Sequence, residues 1–333
     1  MQSLDRKSIL DRLRNLQADV RATLRAHMKS QSASVWSRTV RDGDGDTIFG
    51  IDAAVETTLL EHCKEWGRTQ HFVLLAEGLE PEGITFGKPG LGAPPFRLLV
   101  DPIDGTRGLM FDKRSAWSLA GAAPDRGSAT RLEDIEVAVM TELPTTRQHT
   151  SDVLWAARGG GAHGERHDLG TGAGAGLKIV PSRATTLRHG FATVASFFPG
   201  GKELIARVEE AILARALGPW NPQKAEVYAD QYISSGGQLA EMALGRDRFV
   251  LDVRPLVHRA LGVRSSLACR PYDIVTWPIA AEAGCVVRDP FGEALQAPLD
   301  TTTNVAFAAY ANDKLADVMI PIVREEVRRH LGA

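Results

Sequence analysis

The chain has 333 residues, 44% hydrophobic and 24% charged, which excludes a disordered protein and leaves enough apolar sequence for about two domains or one composite domain. Its 39 basic and 41 acidic residues give a net charge of -2, which removes the basic excess that a nucleic-acid polymer partner requires. Cys63, Cys269 and Cys285 have no CxxC spacing, excluding a disulfide framework or a cysteine zinc site and predicting a reducing, cytoplasmic setting. No apolar run is long enough for a membrane span, and the first thirty residues are charged and periodic, unlike a signal peptide.

In chain order, the spacing of Leu4, Ile9, Leu13, Leu16, Val20, Leu24 and Met28 predicts one long amphipathic helix. A second helix is expected after Asp52, which is suited to cap it, with Val55, Leu59, Leu60, Cys63 and Trp66 on its apolar face. The run 72–76 reads as a buried strand ending at Glu77, 78–95 as a loop rich in Gly and Pro, and 97–100 as a second buried strand ending at Asp101. A strand pair is expected at 115–123 and 135–141, another strand at 153–158, and a hairpin or flexible loop at 159–176. In the second half, helices are expected at 202–217, at 239–244 and from Asp273 to Gly284, the last glycine placed as a helix terminator. Strands are expected at 249–251, 286–287 and 304–309, and a closing helix at 312–331. Interleaved helices and strands without strict βαβ order predict an α/β (α+β) fold of mixed sheets layered with helices. The glycine-rich stretch suggests a join near 180, dividing the chain into 1–180 and 181–333.

The informative stretch is Asp101-Pro102-Ile103-Asp104-Gly105-Thr106. Two carboxylates three residues apart in a helical-type turn would sit about 5–6 Å from each other. Such a pair repels unless it is protonated or bridged by a cation, and oxygen-only donors favour Mg²⁺, Mn²⁺ or Ca²⁺. Gly105 permits close approach of backbone to a ligand, and free amides after it would suit a phosphate. Glu77 at a strand end and Asp273 at a helix start add carboxylates where packing gives no reason for them.

This hexapeptide fits the D-P-[IL]-D-G-[ST] signature of the inositol monophosphatase family of magnesium-dependent, lithium-sensitive sugar phosphatases. The segment Tyr272 to Gly284 resembles the family's second signature, Trp155 to Ala162 its A-x-x-G-x-G-A hairpin, and Ser234-Ser235 with Leu239 and Gly245-Arg246 its G-S-x-A-L…G-R stretch. The resemblance implies an αβαβα sandwich and a phosphomonoesterase acting on a small polyol or sugar phosphate. It implies metal ligands Glu77, Asp101, Asp104, Asp273 and the carbonyl of Ile103. Thr106 and Asp52 would orient the attacking water, and the amides of Gly105 and Thr106 would hold the phosphate. Asp252 would stand where the family has an acid for a substrate hydroxyl. Two Mg²⁺ ions are implied, or three, with Mn²⁺ able to substitute; a homodimer is the implied assembly.

The departures from the family are specific. Gly78 replaces a second glutamate, the one expected to serve a third ion; Phe49 replaces a threonine, Tyr272 a tryptophan, and Arg107-Gly108-Leu109 the residues after the first signature. Arg107 is read as a substrate contact. The link 253–272 is longer than the family's and carries Arg254, His258, Arg259, Arg264 and Arg270 without an acidic residue. It is expected either to be a solvated basic loop or to close over the pocket against an anionic substrate. Two other readings stay open: a same-family phosphatase for fructose 1,6-bisphosphate or a nucleotide 3′-phosphate, and a catalytically silent protein that binds a phosphorylated ligand. Asp42, Asp44 and Asp46 imitate a calcium loop, but Thr47 and Ala53 stand where glycine and glutamate are required. The GxGxxG run at 159–164 is not followed by a helical stripe, so a dinucleotide site is not expected.

Overall fold

A computed structural model describes residues 4–30, 36, 39–41, 48–88, 90, 92–219, 221, 223–264 and 266–332; Asp42, Asp44 and Asp46 lie outside the described residues. The helices are α1 (Arg6–Ser30), α2 (Gly50–Gly67), α3 (Thr106–Met110), α4 (Lys202–Leu217), α5 (Ser235–Ala243), α6 (Arg254–Ala260), α7 (Trp277–Ala283) and α8 (Asp313–Leu331). Strands β1 (Thr39–Arg41) and β2 (Ile48–Phe49) form a small antiparallel pair. The first large sheet holds β3 (Phe72–Ala76), β4 (Ile84–Phe86), β5 (Phe96–Asp104), β6 (Ala116–Pro124), β7 (Val137–Leu143), β8 (Thr150–Ala157), β9 (Ala162–Asp168) and β10 (Gly174–Gly176). Its order is β10-β9-β8-β7-β6-β5-β3-β4, with β3 and β5 parallel and the other pairs antiparallel. The second sheet, β12-β11-β13-β15-β14, is built from β11 (Gly190–Val194), β12 (Val227–Tyr228), β13 (Asp247–Asp252), β14 (Val286–Arg288) and β15 (Phe307–Tyr310).

The alternation of side chains along β6 shows how the layers arise. Ala116, Ala120 and Ala122 face a hydrophobic cluster shared with Ile9, Leu13, Leu16 and Val20 of α1 and Val55 and Leu59 of α2. Trp117, Leu119 and Ala123 face a second cluster that continues through α5 and α7 into the other sheet and α8. The resulting layers are helix, sheet, helix, sheet, helix. Buried Gln17 fixes α1 to the sheet, donating to the Val139 carbonyl at 3.0 Å while accepting from Thr141 Oγ at 2.9 Å. The first sheet ends at Gly176 and the second begins at Gly190, yet the cluster between them draws residues from both. Among the described residues no helix is long and apolar enough to cross a membrane.

Most expected elements are present, and β1, β2 and β12 are additional to them. Of the two readings of 159–176 the hairpin is the observed one: β9 and β10 pair antiparallel there, and the GxGxxG run is a turn into β9 rather than the start of a helix. The 78–95 loop contains β4, which adds to the sheet edge beside β3. Strand β11 was without a strong apolar alternation, and α6 lies inside the basic link. The helix expected from Asp273 is a single 3₁₀ turn over Tyr272–Ile274, followed by α7, which Gly284 ends at φ 106°.

Candidate active site

Pro102 has no amide hydrogen to give to a ladder, and the pairing of β5 with β6 slips there. Asp101 pairs with Leu119 but Asp104 with Trp117, so three steps along β5 oppose two along β6. In a regular strand residues i and i+3 point to opposite faces; the extra residue of this bulge returns both carboxylates to one side. The pair is therefore set by a bulged strand end rather than by the helical turn expected from sequence. Glu77 follows β3 and donates its backbone N–H to the Val100 carbonyl at 3.1 Å, which seats it beside Asp101 at the carboxyl ends of two parallel strands. The two carboxyl groups are within hydrogen-bonding reach of each other.

Asp273 arrives from the far half of the chain on its 3₁₀ turn, where the Arg270 amide donates to its Oδ2 at 2.5 Å. Gly121 lets that turn approach the sheet: a Cβ at 121 would lie 2.6 Å from Val275 Cγ2. Carboxylate oxygens of Asp101, Asp104 and Asp273 lie within 4.8 Å of one another. The N-terminus of α5 completes the clamp. Ser234 Oγ donates to Asp104 Oδ2 at 2.8 Å and accepts from the Gly237 amide, and the Gly236 amide reaches the same Asp104 oxygen at 2.7 Å.

Burial pushes the carboxyl groups of Asp101 and Asp104 well above the usual range. The charges of Asp104 and Asp273 add to the rise at Asp101, and that of Asp273 to the rise at Asp104. Hydrogen bonds from Ser234, Gly236 and Gly237 to Asp104 work in the opposite direction. Buried carboxylates packed this closely need shared protons or a cation between them. The donor set consists of oxygen atoms on converging acidic side chains, so it fits hard divalent ions such as Mg²⁺ or Mn²⁺ and does not fit a thiolate- or imidazole-seeking metal.

Thr106 begins α3. Its hydroxyl lies 2.8 Å from the Ile103 carbonyl and 3.1 Å from Asp52 Oδ1, so its one hydrogen serves two acceptors. Asp52 stands in the first turn of α2 rather than at its cap. Gly105 has φ 99°, and a Cβ there would crowd the Ile233 carbonyl and Ser234 at 3.1 Å. The amides of Gly105, Thr106 and Arg107 precede the first backbone bond of α3. A cavity of about 700 Å³ is lined by Asp52, Glu77, Asp101, Ile103, Asp104, Gly105, Thr106, Arg107 and Asp273. The structure thus brings nine of the ten candidate residues to one cavity.

Asp252 is placed differently. It is fully buried at the end of β13, and its carboxylate accepts from Arg254 Nε at 2.9 and 3.0 Å. It is Arg254, rather than Asp252, that lines the cavity. Of the other arginines in the link, Arg270 lines the cavity, while Arg259 and Arg264 are exposed outside that lining. Sequence reasoning missed Glu56, Phe197 and Phe198 on the cavity wall. Glu56 lies one helical turn from Asp52, a spacing that could have revealed it; the two phenylalanines carry no such signal.

No protein-family model matches the sequence, and no curated protein matches it. Solved structures do. A fructose-1,6-bisphosphatase of Leishmania major superposes with a TM-score of 0.66 at 13% identity, covering 96% of this chain and 95% of that one. An IMPase of Thermotoga maritima gives 0.61 at 18% identity, with 97% and 99% covered. The chain has the inositol monophosphatase fold. An inositol monophosphatase of the cyanobacterium Anabaena shares that fold at a TM-score of 0.60 and 16% identity, over 97% and 96% of the two chains. Within the inositol monophosphatase fold, the layered αβαβα order expected from the sequence motifs is the observed one.

Proposed function

We propose that this chain is a divalent-metal-dependent phosphomonoesterase of the inositol monophosphatase superfamily, acting on a small polyol or sugar phosphate. The observation that carries this reading is the convergence of Asp101, Asp104 and Asp273 within 4.8 Å beside the Thr106–Asp52 pair. Glu77, Asp101, Asp104, Asp273 and the second lone pair of the Ile103 carbonyl would hold Mg²⁺. Bound there, Mg²⁺ supplies Lewis acidity toward the phosphate oxygens and leaving alkoxide and lowers the pKa of water.

The chain's own residues do the rest. Thr106 Oγ gives its hydrogen to Asp52 or to the Ile103 carbonyl and so presents a lone pair to a water proton. Asp52 then accepts the displaced hydrogen, which biases the water oxygen toward phosphorus. The amides of Gly105 and Thr106 fix the phosphate from the opposite side, and the fixed geometry lowers the barrier by orientation. A protein that only bound the ester would have no use for the water-orienting pair. The departure at Gly78 removes the glutamate for a third ion, so two ions are proposed. We further propose that 1–180 and 181–333 are two halves sharing one core, that the protein works as a homodimer in the cytoplasm, and that its three buried thiols stay reduced. Phosphate release with Mg²⁺ across inositol, sugar and nucleotide phosphates tests the central reading, with Asp101→Asn as control. Release that survives excess chelator refutes it.

A further inference from the structure

Strand β13 begins with a carboxylate that the fold leaves unanswered. Asp247 is 9% exposed, yet among the described residues its side chain takes part in no hydrogen bond or ion pair. The sheet register places two aromatic rings beside it. Asp247 is opposite Phe191 across the parallel pair β11–β13, and Phe191 is opposite Tyr228 across the parallel pair β11–β12. Residues opposite one another on adjacent strands share a face, with about 4.8 Å between strands. A row of Tyr228, Phe191 and Asp247 therefore lies on one face. Arg248 lies on the other: a Cβ at Gly190 would meet Arg248 Cδ at 2.5 Å, and each of these two residues is one step removed from the row. Phe191 and Tyr228 are each 39% exposed and meet edge to face, their ring centroids 5.5 Å apart at 64°. None of the three lines the cavity around Asp101 and Asp273, since Asp247 and Asp252 stand at opposite ends of β13.

The charges facing Asp247 come from three further segments. Asp230 follows β12, Arg114 follows α3, and Glu241 and Arg246 belong to α5 and the turn after it. Both arginines are already paired. Arg114 Nη1 donates to Asp230 Oδ2 at 2.6 Å, and Arg246 Nη1 donates to both Glu241 carboxylate oxygens at 2.9 Å. Three carboxylates thus stand against two guanidinium groups, and the one left over is Asp247. Burial, with Glu241 and Asp230 adding to it and Arg114 and Arg246 opposing, pushes its carboxyl up to about 7, so a proton stands in for a missing cation. A divalent ion is not served here: among the described residues the acidic side chains that converge within 4.8 Å are those of Asp101, Asp104 and Asp273. An ammonium group is served, because ring faces attract a cation and a carboxylate accepts its hydrogens.

We propose that Asp247, Phe191 and Tyr228 form a binding site for a primary alkylammonium group, supplied by a free amine or by the lysine side chain of a protein partner. The ammonium hydrogens satisfy the orphaned carboxylate, and the two rings enclose the alkyl stem and the charge. On binding, the Asp247 carboxyl releases its proton to solvent, so affinity rises with pH until that group is fully ionised.

Amide resonances of the protein in saturating Mg²⁺, which occupies the other acidic cluster, read the site directly. With n-butylammonium at pH 8, the resonances of Phe191, Tyr228 and Asp247 should shift saturably, and the affinity should be about tenfold lower at pH 6. The neutral analogue 1-butanol should leave them in place. Asp247→Asn should weaken binding at pH 8 by about tenfold or more, and Phe191→Ala by about fivefold. The asparagine variant removes a buried charge, so it should melt no lower than the parent at pH 8, and the pH dependence of the unaltered protein is a second measure free of any folding defect. Tighter binding of Nα-acetyl-lysine N-methylamide than of n-butylammonium assigns the site to a partner's lysine; equal or weaker binding assigns it to a free amine. No saturable shift with either amine, an equal response to 1-butanol, or an affinity unchanged both at pH 6 and by Asp247→Asn overturns the proposal.

Discussion

The hydroxyl of Thr106 lies 3.1 Å from a carboxylate oxygen of Asp52, joining the start of α3 to the first turn of α2. Thr106→Val keeps the shape of the side chain and removes the hydroxyl; kcat should fall by about a hundredfold or more, as for loss of a general acid–base partner. Thr106→Ser should retain most activity. Equal activity of the valine and threonine enzymes would refute the role given to this pair.

Asp101→Asn removes one charge from the carboxylate cluster. Phosphate release should drop by several kcal/mol of transition-state stabilisation, and the Mg²⁺ concentration for half-maximal activity should rise. The ion-free variant should melt at a higher temperature than the ion-free parent, because burial and repulsion then penalise one charge fewer. Calorimetry without Mg²⁺ checks this directly; a lower melting temperature would contradict it.

Ion binding and pH are linked through the same groups. Asp101 and Asp104 are raised by burial, so the folded, ion-free protein holds protons that the unfolded chain releases. Stability of the ion-free protein should therefore fall as pH rises from the ordinary carboxylate range toward the raised values. Mg²⁺ displaces those protons, so its stabilisation should grow over the same interval, reaching about 2.7 kcal/mol at a hundred times its Kd. Melting curves at pH 5.5, 6.5 and 7.5, with and without Mg²⁺, measure the trend; a shift independent of pH would count against it.

Gly236 donates to Asp104, and a Cβ there would lie 2.5 Å from Leu119 Cδ1 and 2.9 Å from Asp104 Oδ2. Gly236→Ala should cost about 1–3 kcal/mol of stability from overpacking and weaken Mg²⁺ binding as Asp104 is displaced. Urea unfolding and Mg²⁺ titration of the variant read the two effects separately. A normal Mg²⁺ affinity would show that the helix start does not set the position of Asp104.

Away from the cavity, burial pushes Asp247 from 3.8 up to about 7, with Glu241 and Asp230 adding to the rise and Arg114 and Arg246 opposing it. The fold keeps this proton up to about pH 7 whereas the unfolded chain loses it near pH 4, so Asp247 lowers stability progressively across that window. Asp247→Asn should be close to neutral at pH 4 and stabilising by on the order of 2 kcal/mol at pH 8. Denaturant midpoints at the two pH values provide the check, and a stabilisation that is the same at both would rule out the linkage.

The sequence was most legible where periodicity and chemistry agree. The stripe from Ile9 to Met28 reads directly as the buried face of α1, and Phe72–Ala76 as a buried strand. The Asp101–Thr106 motif identified residues that share a cavity, but not how: the bulge at Pro102 is a feature of pairing with β6, invisible in either strand alone. The β9–β10 hairpin was legible only as one of two readings, because glycine and charged residues mask a strand whose partners supply its order. Asp252 and Arg254 illustrate the same limit, since two nearby residues of opposite charge do not announce which of them faces the cavity.

Gly78 sits at φ 82°, in the left-handed region. Any L side chain there bears about 1–2 kcal/mol of steric penalty, so Gly78→Glu would set a new carboxylate beside Glu77 only at that cost. The turn after β3 and its residue are matched to each other, and the glycine lets the chain leave the strand at Glu77 without that strain.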